Sequence, residues 1–75
     1  MRKHFILIEE SLDFWVHDFP FDLRVGESLA ASNFLQPDAS AKMRDKLEDH
    51  FHKVESIVWV KDRSGYFPQV YLERG

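Results

Sequence analysis

Apolar and polar residues alternate with little interruption from Phe5 to His17. Ile6, Ile8, Leu12, Phe14 and Val16 fall on one parity, broken by Glu10; Phe5, Leu7, Glu9, Asp13, Trp15 and His17 fall on the other. A period of two marks a strand, because successive side chains leave the pleated chain on opposite sides. The pattern predicts two strands, about 3–9 and 12–18, joined near Glu9-Glu10-Ser11. That junction lacks the Asn-Gly or Gly-X pair of a tight hairpin. One long strand with a bulge near Glu10 is the alternative.

Phe19-Pro20-Phe21 ends the alternation, since proline has no N–H to give a ladder. Asp22 to Leu29 then runs through Gly26. This predicts a short extended piece, a turn at positive φ, and a further strand around 28–34. The stretch Val25-Gly26-Glu27-Ser28-Leu29 resembles the V-G-D/E-x-hydrophobic turn of several small β-barrel families, including PUA-like and ASCH-like RNA-associated domains. The likeness spans residues 25–29 alone and recurs in too many families to single one out.

One helix is expected at about 39–52, with Asp38 as N-cap behind Pro37. Ala39, Met43, Leu47, Phe51 and Val54 would form its apolar stripe, and Asp45, Glu48, Asp49 and His52 its solvated side. His50 falls within the stripe, which predicts a buried, neutral imidazole. The clearest hairpin signal follows. Val54–Lys61 and Tyr66–Glu73 are β-branched and aromatic runs separated by Asp62-Arg63-Ser64-Gly65. A four-residue loop sets Val60 opposite Phe67 and Ile57 opposite Val70. One face then carries Ile57, Trp59, Tyr66, Val70 and Leu72, and the other Val58, Val60, Phe67 and Tyr71. Both are apolar, and a single helix covers only one.

These elements predict a single α+β domain spanning residues 1–75: a small antiparallel sheet of four or five strands with one helix on one face. A small β-barrel with one helix is the alternative, since curling also encloses a face. At 75 residues the core is thin, because a chain of this size buries only about 60% of its unfolded surface. There is no cysteine, which removes disulfides and thiolate zinc sites as supports. Aromatic residues make up 15% of the chain and are the obvious substitute. The apolar run Phe5–Ile8 is too short for a signal core or a membrane helix, so a cytoplasmic location without membrane contact is expected by default.

Net charge is −3, carried by the first 35 residues. That balance argues against a general nucleic-acid binder, which needs a basic patch. Candidate chemistry is sparse. His50 and His52 would point apart on a helix, and the Asp45, Glu48, Asp49 and His52 side, the least favoured candidate for a metal-assisted hydrolase, reads as a solvated face among lysines. No serine sits in a nucleophile elbow, and no glycine-rich phosphate loop or cofactor motif occurs. The expectation is a non-enzymatic protein-interaction module without metal or cofactor, self-associating or bound to another protein through Trp15, Val58, Val60, Phe67 and Tyr71. The rival is a small RNA-binding barrel in which aromatics such as Trp15, Trp59 and Tyr71 stack bases while Arg2, Lys3, Arg24, Lys61 and Arg63 contact phosphates.

Overall fold

The computed structural model describes residues 2–35, 40–47 and 50–75. Strands β1 (Lys3–Leu7) and β2 (Leu12–Val16) form the first hairpin, followed by a short β3 (Ser28–Leu29). A 3-10 turn (Ala31–Phe34) and helix α1 (Ala41–Leu47) lead to the long strands β4 (His52–Asp62) and β5 (Gly65–Arg74). The strands make one curled, five-stranded sheet in the order β2-β1-β5-β4-β3, a half-barrel.

The fold is α+β, but the sheet is mixed where a purely antiparallel one was expected. β1 lies parallel to β5, pairing Phe5 with Val70 and Leu7 with Leu72. The cause is non-local: two hairpins joined by a long crossover dock through their inner strands, and alternation within each strand carries no record of that docking.

Residues 3–18 form a hairpin, not one bulged strand. Its register pairs Phe5 with Phe14 and Leu7 with Leu12, across a turn in which Ser11 takes φ 54°. This register pairs odd residues with even ones. Phe5 and Leu7, not Ile6 and Ile8, therefore share a side with Leu12, Phe14 and Val16. That side is the core: Phe5, Leu7, Phe14, Val54, Val70 and Leu72 are buried there beneath Phe19, Leu29, Ala31 and Leu47. Gly26 supplies the expected turn at φ 96°, and its N–H donates to the Val54 carbonyl at 2.9 Å.

The helix is shorter than its periodicity predicted. Ser40 caps it, its Oγ accepting the Met43 N–H at 3.1 Å. Pro37, Asp38 and Ala39, where the cap was expected, lie outside the described residues, as do Glu48 and Asp49. His50 is exposed, so the buried-histidine expectation fails for it; His52 instead opens β4 and is fully buried. Val54 belongs to the same strand. The β-branched and aromatic run of β4 extends back to His52, whose partners are Leu29 and Arg74. Sheet pairing on both sides outweighs a helical spacing that only one face could use. Within β4–β5, Val60 faces Phe67 and Ile57 faces Val70, as the loop length implied. Glu55 is an unforeseen bulge residue: Val54 pairs with Leu72, but Ser56 pairs with Tyr71.

Candidate interaction face

Pairing and alternation decide which side chains share the sheet's second face. Trp15 stands opposite His4, His4 opposite Gln69, and Gln69 opposite Val58; Phe67 stands opposite Val60, and Tyr71 opposite Ser56. Trp15, Val58, Val60, Phe67 and Tyr71 thus come together on the side away from Phe5, Val70 and Leu72. The apolar residues packed on the sheet, Leu23, Phe34, Leu35 and Met43 among them, belong to the core side. No described element covers the second face.

The face partly shields itself. The His4 and Trp15 rings stack at 4.4 Å and 7°, and Phe67 tilts against Trp15 at 4.8 Å. Arg2 lies over both larger neighbours, its guanidinium carbon 4.7 Å from the Phe67 centroid and 5.3 Å from that of Trp15. Phe67 is left only 5% exposed with no layer above it. Each aromatic pair adds about 0.5–1.5 kcal/mol beyond burial, and a cation over a ring about 0.5–1 kcal/mol when exposed. Asp62 holds Arg2 in place at 2.6 Å. That hydrogen bond is the main reason the Asp62 carboxyl lies below its ordinary pKa; some desolvation opposes it, and the Ser64 N–H assists.

A polar chain crosses the same face. The Tyr71 hydroxyl donates to Gln69 Oε1 at 3.2 Å, and the Gln69 amide lies 3.4 Å from His4 Nδ1. His4 Nε2 lies 2.8 Å from Asp13 Oδ2. With Gln69 donating to Nδ1, Nε2–H is the donor to Asp13. Beside this chain a shallow groove runs between Ile6, Ile8, Ser11 and Tyr71. Exposed apolar surface remains at both margins, at Ile8 (47%) and Val58 (46%). Sequence reasoning missed His4 as part of the face and named Arg2 only as a phosphate contact of the RNA-binding alternative. The signal was present in the alternation, since His4 and Ile6 share a parity, but the hairpin register was needed to place them beside Trp15.

The basic residues of the RNA-binding alternative are distributed differently. Arg2 is on the open face, held by Asp62. Lys3 is buried on the core side, its ammonium 5.8 Å from the Phe19 centroid. Trp59 and Lys61 take the core-side parity of β4 beyond the covering layer, where Trp59 is exposed and Lys61 lies over Tyr66 at 5.6 Å. Arg24 is in the loop before Gly26, and Arg63 is in the β4–β5 turn. They do not converge on Trp15 and Tyr71.

A second polar cluster lies at the far end of the core. Glu10 Oε1 accepts from Arg74 Nε at 2.6 Å and lies 3.2 Å from His52 Nε2. Both His52 and the Glu10 side chain are sealed, while Glu10 Oε2 and His52 Nδ1 have no hydrogen-bond partner among the described residues. Burial raises the Glu10 pKa, but the Arg74 and His52 hydrogen bonds and the charge on His52 outweigh it, leaving the carboxyl below its ordinary value. Asp45 and His52 do not share a helix face, because His52 is in β4. Among the described residues, no three His, Asp or Glu side chains gather to hold a metal ion. No described helix is long and apolar enough to cross a membrane. No family model, curated protein or solved structure matches this chain.

Proposed function

We propose that the chain is a non-enzymatic protein-interaction module that self-associates through its open sheet face. One observation carries this reading. The sheet has a second face rich in aromatic and β-branched residues, and the described elements that could have covered it pack on the other side. The N-terminal hairpin widens this face, because β1 and β2 join the sheet edge-on, and its side chains shield Phe67 while leaving the margin at Val58 open.

The polar residues present suit a contact surface better than a reaction centre. His4 has both ring nitrogens engaged within the face, by Asp13 and Gln69, and its ring stacks on Trp15. Asp13, Asp62 and Glu73 accompany Arg2 and Lys53 on this side, a mixed pattern that a second copy can complement and a polyanion cannot. Sedimentation equilibrium from micromolar to millimolar concentration tests the proposal. A concentration-dependent dimer is expected, weakened at least tenfold by Val58→Asp, which places an unpaired charge in the contact. A clean monomer throughout overturns it.

A further inference from the structure

Strand β4 has one side that is paired and one that is bare. On its inner side Ser56, Val58, Val60 and Asp62 stand opposite Tyr71, Gln69, Phe67 and Gly65 of β5. Two sets of hydrogen bonds fix the direction of the backbone groups. The Ile8 N–H donates to the Leu72 carbonyl at 3.0 Å, so Leu72 faces β1. Val54, opposite Leu72, faces the other way, accepting from Gly26 and donating to Glu27, each at 2.9 Å. Facing alternates along an antiparallel ladder, and the extra residue Glu55 shifts it by one. Ile57, Trp59 and Lys61 therefore turn their N–H and C=O groups away from β5. Pro68, opposite Trp59, agrees with this, since a residue without an N–H sits where the β4–β5 ladder needs none.

β3 pairs only with His52 and Lys53, and no described segment bonds to the outer side of Ile57, Trp59 or Lys61. The same stretch exposes Val58 (46%) and Trp59 (58%). Edges are usually blunted by proline or charge. From Ser56 to Lys61 this edge has no proline, and Lys61 is its one charge.

We propose that the outer edge of β4 is where two copies join, each adding its β4 antiparallel to the other across a two-fold axis at Trp59. This rests on the self-associating reading above and moves the contact from the flat of the open face to its rim. In that register Trp59 meets its counterpart, Ile57 meets Lys61, and all three outward-facing residues exchange hydrogen bonds. Val58 meets Val60 on the open-face side, burying the apolar margin. Glu55 of one copy comes level with Arg63 of the other, and no like charges stand opposite each other. The self-complementary register favours a second copy over an unrelated extended peptide.

Sedimentation equilibrium of Trp59→Pro, Trp59→Lys, Trp59→Glu and the mid-face variant Tyr71→Lys separates the possibilities. Trp59→Pro removes an outward donor without touching a bond to β5, and Trp59→Lys sets like charges across the axis. Each is expected to raise the dimer dissociation constant at least tenfold, Trp59→Glu likewise, and mixing the Lys and Glu variants restores a dimer. Tyr71→Lys leaves the dimer intact. Loss of the dimer in Tyr71→Lys with its retention in Trp59→Pro overturns edge pairing and leaves face-on association standing. A wild-type monomer overturns both. Hydrogen exchange on the wild-type chain decides independently of whether any variant folds. The amides of Ile57, Trp59 and Lys61 gain protection as concentration rises; fast exchange at every concentration overturns the proposal.

Discussion

Glu10 lies in the β1–β2 turn, yet its side chain is only 2% exposed because it reaches over Arg74 and His52 at the end of the core. A buried carboxylate is costly unless its partners are strong. Here one oxygen receives two hydrogen-bonding neighbours and the other none among the described residues. The lowered pKa gives the direction of its linkage to stability. The folded chain prefers the charged form, so Glu10 stabilises the fold above the ordinary glutamate value of 4.5, and this contribution is lost as pH falls through the lowered folded value. Urea unfolding between about pH 6 and about pH 3 is expected to show a falling midpoint. Glu10→Gln should remove that part of the slope and cost about 1–3 kcal/mol at neutral pH, the usual range for stranding a buried partner. An unchanged slope in the variant would assign the acid sensitivity to other carboxylates. Nothing in the sequence pointed to this trio, because Glu10 reaches the paired His52 and Arg74 only through the docking of the two hairpins.

At the level of elements, the boundary between α1 and β4 shows how far local pattern reaches. The strands were legible wherever alternation and a loop length acted together: the β4–β5 register followed from the residues between the two runs. The end of the helix was not legible. Met43, Leu47, Phe51 and Val54 fit a helical stripe, but Val54 also fits the core parity of a strand, and pairing with Leu72 decides in favour of the strand. Phe51 is left exposed between the two elements. A helix of seven residues has little stability of its own and depends on what it buries. Leu47, fully buried, is its deepest anchor among the described residues. Leu47→Ala is expected to cost about 2–5 kcal/mol by chemical denaturation, and amide exchange should accelerate first in Ala41–Leu47. Equal acceleration in β1 and β5 would mean that the helix and sheet unfold as one unit instead.

At the scale of the molecule, a single covering layer must serve a sheet that is apolar on both sides. The expectation that one side stays uncovered was readable from the doubly apolar hairpin. That this side would stack its own aromatics was not, because Trp15 and Phe67 belong to different hairpins and meet only across β1, with Arg2 lying over both. The open face therefore has two parts with different duties. Its centre, around Phe67, contributes to the stability of one chain; its margin at Val58 is surplus to it. Small domains have few kcal/mol in reserve, so the two parts separate experimentally. At concentrations low enough to keep the chain monomeric, Phe67→Leu, which keeps bulk but loses the ring stack, is expected to cost about 1–1.5 kcal/mol. Val58→Asp should change monomer stability by no more than about 0.5 kcal/mol, as a substitution at an exposed position does. At high concentration the order reverses, with Val58→Asp losing association and Phe67→Leu retaining it. If Phe67→Leu instead leaves the dilute chain as stable as before while abolishing the dimer, the stacked aromatics belong to the contact, and the monomer is held by its covered face alone.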